Sequence, residues 1–332
     1  GQDEEMIDNT GDAGNDVEME FIGSLEVLDN LGKLEPSFDD EVSNFLLAQM
    51  GSSGKVHQKD ASRAARRIVS EIYSPPRVTD LIRKSKMRHV LPGYALDLTV
   101  NDPSDDQPWD FSIEHKRERA RQLLREQKPY VLVGSPECKQ FCTFQAINAA
   151  RSSDRGAVDR AKTATIVHIN FVCELYQEQI DGGRYFVHEH PYWATSWQLQ
   201  AVEKIMNQDG VERVRGDQCQ YGARTQEDDG QSKRGDPILK PTGFMTNSPM
   251  IAKALDRQCT AGSGLCSRPA GGKHQLCSGR HAREAAKYPR GLCKAILKGV
   301  RDQLKEDQLL KNGCFGIQAP DEDAEVEKNL RG

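Results

Sequence analysis

The chain of 332 residues is 37% hydrophobic, 6% aromatic and 29% charged, enough for one sizeable domain with appendages or for two small ones. Its formal charge of −5 averages two unlike parts: residues 1–50 hold fourteen Asp/Glu against one Lys, a net of −13, so residues 51–332 carry 44 − 36 = +8. A uniformly acidic protein is excluded, and no apolar run approaches the ~18 residues that a membrane helix needs.

In chain order, residues 1–55 read as an acidic, mostly disordered leader. A short amphipathic helix is expected at Phe38–Leu47 and a flexible linker at Met50–Gly54. Residues 56–90 read as a basic helical segment, with Ala64, Ile68, Ile72 and Tyr73 on one face, stopped by Pro75 and Pro76 and followed by Arg83, Lys84, Lys86 and Arg88. The folded core is expected to begin near Leu91, with a strand over Tyr94–Val100 and a polar loop over Asn101–Trp109. A charged helix over Ile113–Gln127 then leads to the short apolar run Tyr130–Val133, which has the pattern of a buried parallel strand. A long helix near Arg155–Ile180, a strand at Arg184–His188, a helix at Trp197–Met206, strands at Val211–Arg215 and Gly243–Thr246, and a helix near Met250–Arg257 complete residues 91–258. This alternation predicts an α/β sheet with helices on both faces, whose ligands sit at the carboxyl ends of the strands. A basic Cys/His-rich loop with helices is expected over 259–310 and a disordered tail over 311–332. No signal-peptide layout occupies the first thirty residues, and the nine cysteines are irregularly spaced. Both point to reduced thiols in the nucleus or cytoplasm, not to secretion. A start at Gly1 instead of Met is expected of a piece of a longer protein.

Two strand ends carry the chemistry. The run Tyr130–Val133 enters Gly134-Ser135-Pro136-Glu137-Cys138-Lys139-Gln140-Phe141-Cys142, which presents a thiol at a sheet edge. The next strand enters Phe186-Val187-His188-Glu189-His190-Pro191 and delivers a carboxylate beside it. A Cys–His pair using His188 or His190 is the other arrangement those residues allow, though no third residue orients it.

The first loop resembles G-G-P-P-C-Q-G-F-S, the nucleophile loop of the DNA cytosine-5 methyltransferase family. It keeps Gly134, Pro136, Cys138 and Phe141, and departs at Ser135, Glu137, Lys139, Gln140 and Cys142. Glu189 stands where that family has the Glu of E-N-V, with His190 in place of the Asn, and Cys219-Gln220-Tyr221-Gly222 is similar to its Y-G-V-P-Q segment without the Pro-Gln. The resemblance spans roughly residues 91–258 and implies a Rossmann-like methyltransferase sheet. It further implies that the Cys138 thiolate adds to C6 of a flipped-out cytosine while Glu189 bonds N3, and that C5 takes a methyl group from S-adenosylmethionine. DNA, or nucleic acid in general, would be the partner, which suits a basic body. No F-x-G-x-G-G cofactor segment is present; Gly93 and Asp97 are the nearest cofactor-binding candidates, with Gly134 and Pro136 of the nucleophile loop. Glu137 beside Cys138 is expected to raise the thiol pKa and oppose attack. The alternative reading is a catalytically inactive nucleic-acid-binding segment of a retroelement-type polyprotein.

A second group, Cys259, Cys266, His274, Cys277 and His281, offers soft and borderline ligands in a Gly-rich loop that zinc could staple. Nearby Arg268, Lys273, Arg280 and Arg283 are candidates for nucleic-acid contacts, together with Lys287 and Arg290. Tyr192, Trp193 and Trp197 either stack on bases or pack in the core.

Overall fold

The segment Ile68-Val69-Ser70-Glu71-Ile72 is a strand, β1, where the sequence reading continues a helix. A four-residue spacing is even, so Ile68 and Ile72 share one face of a strand as well as of a helix; the β-branched residues and burial decide for the strand. The computed structural model describes residues 67–85, 90–142, 154–227, 232–277, 279–285 and 287–309, all within the unit Ala61–Gly332. The acidic leader, the Phe38–Leu47 helix, the 50–54 linker, Lys86, Arg88 and the 311–332 tail lie outside the described residues.

After β1 come helix α1 (Val78–Ser85), β2 (Leu91–Leu96), a two-residue pair β3 (Asn101–Asp102) and β4 (Gln107–Pro108), and helix α2 (Glu114–Gln127). Then follow β5 (Val131–Gly134), α3 (Arg155–Asp181), β6 (Tyr185–Pro191), α4 (Gln200–Met206), β7 (Glu212–Asp217), β8 (Ile238–Leu239), β9 (Pro241–Thr246) and α5 (Pro249–Leu255). The chain closes with β10 (Gln275–Leu276), α6 (Gly279–Glu284) and α7 (Arg290–Glu306). The domain thus begins before Leu91, because residues 68–85 supply an interior strand and a packed helix.

Six strands form one sheet in the order β2-β1-β5-β6-β9-β7. Neighbours are parallel from β2 to β6, and β9 runs antiparallel between β6 and β7. Side chains alternate across β5: Val131 and Val133 join α1, α5 and α7 on one face, while Leu132 joins α2, α3 and α4 on the other. Burial of all four β5 residues matches the continuous apolar run expected of a central parallel strand. On the second face Tyr176 stacks on Phe186 at 4.5 Å between ring centroids. On the first, α7 crosses α5 so closely that a Cβ on Gly299 would lie 2.6 Å from the Ile251 Cα.

The carboxyl ends of β1, β5, β6 and β7 share one edge of this α/β layer. The segments between β7 and β9 and between α5 and α7 meet there, joined by the parallel pair β8–β10. Among the described residues no helix is long and apolar enough to cross a membrane.

Candidate functional site

The strand order reverses between β1 and β5: from β1 the chain steps outward to β2, and from β5 outward to β6. A crevice outside the carboxyl ends at such a reversal is where open α/β sheets hold ligands. Here the two loops close on each other. Ser135 N–H donates to the Ile72 carbonyl at 3.2 Å, and Ser135 Oγ to the Tyr73 carbonyl at 3.3 Å. Beneath them Glu71, fully buried in β1, accepts on Oε1 from Arg77 N at 3.0 Å, Thr79 N at 2.9 Å and Thr79 Oγ1 at 2.7 Å, and on Oε2 from Ser74 Oγ at 3.0 Å. The N-terminus of α1, a natural place for an anion, is therefore already occupied by the protein's own carboxylate. Pro75 and Pro76 have no N–H to offer a ligand. Tyr73 sits in the left-handed region at φ +56°, where glycine is the ordinary occupant. Its ring packs on Phe111 at 4.8 Å, and its hydroxyl meets His168 Nδ1 at 3.0 Å.

The four cofactor-binding candidates have structural employment. A Cβ on Gly93 would lie 2.1 Å from Ser70 Oγ, so this glycine lets β2 approach β1. Asp97 closes its own turn by accepting from Thr99 N at 3.0 Å and Thr99 Oγ1 at 2.7 Å. Gly134 lies under the Tyr176 hydroxyl, and the Pro136 carbonyl accepts from His190 Nε2 at 3.0 Å.

Cys138 follows β5 and Glu189 lies in the adjacent strand β6, close enough for the carboxylate's charge to act on the thiol. Burial pushes the half-buried Cys138 thiol up to about 12, the Glu189 charge adds to this, and Lys240 opposes it. The carboxylate acting on the thiol is thus Glu189. Glu137, expected in that role, is exposed and acts on His168 instead. Glu189 is buried, with Lys240 Nζ 3.3 Å from Oε1, an ion contact without the alignment of a hydrogen bond, and Tyr288 OH 3.5 Å from Oε2. Lys240 also donates to the Ala285 carbonyl at 3.1 Å. The Cys–His arrangement is not formed. His188 Nδ1 meets Tyr176 OH at 3.1 Å, and His190 is held between Pro136 and Ser196 Oγ, the latter at 2.6 Å. Burial drives both imidazoles toward the neutral form, His190 down to about 4.

The Cys/His group is real but differently composed. Cys219, Cys259, Cys266 and His274 place their ligand atoms within 4.8 Å of one another and could hold a metal ion. Cys277 and His281 are not members. Cys277 lies near Glu189, Lys240 and Cys142, and His281 Nε2 is 3.5 Å from Ser232 Oγ. In their place Cys219 comes from the 3-10 turn Gln218–Tyr221 that ends β7. Asp217 sets Cys259 opposite it, accepting from Cys259 N at 2.8 Å, while the Leu265–Lys273 bridge brings Cys266 beside His274. Cys259 Sγ is 3.9 Å from Cys266 Sγ and 3.6 Å from His274 Nε2. Around a tetrahedral zinc the corresponding edges are about 3.8 Å and about 3.6 Å, from Zn–S and Zn–N bonds of roughly 2.3 and 2.05 Å. Donors face the sulfurs: Ser267 N and Oγ point at Cys259 Sγ from 3.3 and 3.4 Å, and Gln220 Nε2 at Cys219 and Cys266 from 3.6 and 3.7 Å. Burial raises the Cys259 thiol pKa, but hydrogen bonds from Ser267, the Ala261 backbone and Cys266 together outweigh it and the net shift is downward.

Beside this cluster runs a groove of about 840 Å³, with Arg224, Arg268, Lys287 and Arg290 on its walls, Tyr221 and Tyr288 in its floor, and no acidic residue among its described lining. Arg268 is fixed there by bonds to the Gly271 and Gly235 carbonyls at 2.8 and 2.7 Å. Lys273 is exposed away from the lining, and the side chains of Arg280 and Arg283 on α6 lie outside the described residues. Trp197 is buried, whereas Trp193 is 66% exposed. Arg224, Lys240 and Tyr288 carry no local motif and were not foreseen, nor was Cys219 as a metal ligand, since it lies 40 positions before Cys259. No family model matches the chain, and a search of curated proteins finds no match.

Proposed function

We propose that this chain is a nucleic-acid-binding module built on a Rossmann-like, methyltransferase-like sheet, stapled by zinc and catalytically silent. The groove carries the reading. Four cations converge in a concave surface that exposes no anion among its described lining, which suits a sugar–phosphate backbone. Guanidinium groups at Arg224 and Arg290 can fork onto phosphate oxygens, with Lys287 and Arg268, whose Nε and Nη2 already serve backbone carbonyls, adding their charge. The strand reversal between β1 and β5 supports the Rossmann-like assignment. The closed crevice argues against a cofactor there: Glu71, Tyr73 and the two prolines fill or block the place that would receive S-adenosylmethionine. Three thiolate-capable ligands and one imidazole, with the Cys259–Cys266 and Cys259–His274 edges near tetrahedral length, favour zinc over the harder metals.

Fluorescence anisotropy with single-stranded and duplex oligonucleotides tests this. Arg224→Ala and Arg290→Ala should each weaken binding to both several-fold, irrespective of sequence; unchanged affinity in the double variant rejects the groove. A second reading, a cytosine-5 methyltransferase acting on DNA, is favoured by Cys138 and Glu189 meeting at neighbouring strand ends. It requires a covalent adduct with a 5-fluorocytosine duplex that Cys138→Ser abolishes.

A further inference from the structure

We infer that occupancy of the Cys219/Cys259/Cys266/His274 site assembles the basic groove, so that metal controls the surface that meets nucleic acid; the nucleic-acid half of this rests on the function proposed above. Of the segments that line the groove, 221–226, Ile238 and Arg268 hang on metal ligands, whereas Ala285 and Lys287–Gly291 lead into α7. Cys219 is followed, after Gln220, by Tyr221, Gly222, Ala223 and Arg224, which line one wall. Arg268 of the facing wall lies between the ligands Cys266 and His274, and its guanidinium reaches the Gly235 carbonyl at 2.7 Å, tying the metal loop to the segment before β8. The residue after His274 opens β10, which pairs with β8, and Ile238 of β8 is a further lining residue.

Apart from Tyr221, seated in the core with its hydroxyl on the Leu255 carbonyl at 2.8 Å, and the backbone bonds between Ala223–Thr225 and Asp236–Ile238, few apolar contacts hold these walls. The apolar cluster beneath them consists of Ala223, Ile238 and Ala285 with Cys277 against it. Leu265 and Leu276, the large aliphatic residues of the metal loop, are 53% and 72% exposed. Within the loop Ser263, Gly264, Gly271 and Gly272 all have φ between +57° and +103°. Such a backbone is costly to order without an external tie, and a site absent from the unfolded loop makes metal binding and loop ordering one event. The sheet does not depend on the tie, since β1, β5 and β6 are buried between two helical layers of their own.

The experiment uses the full chain. Metal analysis should give about one zinc, and cobalt(II) exchanged into the site should show thiolate charge-transfer and tetrahedral d–d bands. Cys266→Ser should lose both, and His281→Gln neither. Stripping zinc from the wild-type chain with a chelator avoids any folding defect of a variant. It should speed amide exchange at 218–227 and 256–277, leave β1, β5 and β6 protected, and lower affinity for a fluorescein-labelled single-stranded oligonucleotide by about tenfold or more, as two of the four groove cations are released. Added zinc should restore all of it. Stripped protein that keeps its groove protection, or loss of the metal in His281→Gln, overturns the inference. Amide exchange needs no nucleic acid. Zinc-loaded protein that ignores the oligonucleotide but loses groove protection on stripping refutes the nucleic-acid reading and supports metal-dependent assembly.

Discussion

A silent Cys138 makes a quantitative prediction about thiol chemistry. Its pKa of about 12 stands about three units above an ordinary cysteine near 8.5 to 9, which lowers the thiolate fraction at neutral pH roughly 1000-fold. A more basic thiolate is also a better nucleophile, with a Brønsted coefficient of about 0.4–0.5, which returns a factor of roughly 15 to 30. Attack on a small aromatic disulfide should therefore be about 30- to 60-fold slower at Cys138 in the folded chain than in the unfolded one. With nine cysteines present, the rate must be read at this position alone, by timed quenching and peptide mass spectrometry. Glu189→Gln should speed the reaction by removing the neighbouring charge, and Lys240→Met should slow it. A folded-state rate equal to or above the unfolded one would mean an activated thiolate. The silent reading would then fail in favour of the methyltransferase.

Two further outcomes follow from buried polar groups. His190 is neutral in the fold, with its pKa pulled to about 4 by burial against about 6.5 when unfolded. Its contribution to stability is therefore complete above pH 6.5 and lost as pH falls toward 4. From pH 7 to pH 5 urea unfolding should show a loss of about 2 kcal/mol from this residue alone, with His188 acting in the same direction; a flat profile, or one that His190→Gln leaves unchanged, refutes it. Glu71→Ala strands two backbone donors and two hydroxyls inside the β1–α1 turn and should cost about 3 kcal/mol, whereas Glu71→Gln, which can keep the bonds to Arg77 and Thr79, should cost about 1 kcal/mol. Equal midpoints for the two variants contradict the role assigned to that carboxylate.

Much of the α/β layer was legible because its elements are long or strongly patterned. Helices α2 and α3 and strands β5, β6 and β7 fall within a few residues of where periodicity and turn residues put them. β1 was not legible, because Ile68 and Ile72 fit both periods and flanking arginines imitate a helix surface. The antiparallel direction of β9 has no local signature, since it depends on which partners the strand meets. At the site, Cys138 and Glu189 were readable as neighbours because parallel strands bring successive carboxyl ends to one edge. The metal group was half readable: Cys259, Cys266 and His274 lie in one loop, but the fourth ligand comes from the end of β7. Spacing alone favoured Cys277, which the chain turns toward Glu189 after β10. Groove cations drawn from residues 224 to 290 form a surface only after β8 and β10 pair.

Binding of the nucleic-acid backbone in this groove is proposed from its shape and charge. Its most direct test is the salt dependence of oligonucleotide affinity for the zinc-loaded full chain. Four cations at roughly 0.7 counterions per contact predict a log–log slope of about −3 on single strands, falling in magnitude by about 1.4 in the Arg224→Ala/Arg290→Ala double variant. A slope near zero, or one that the double variant leaves unchanged, means that the groove cations do not meet phosphate.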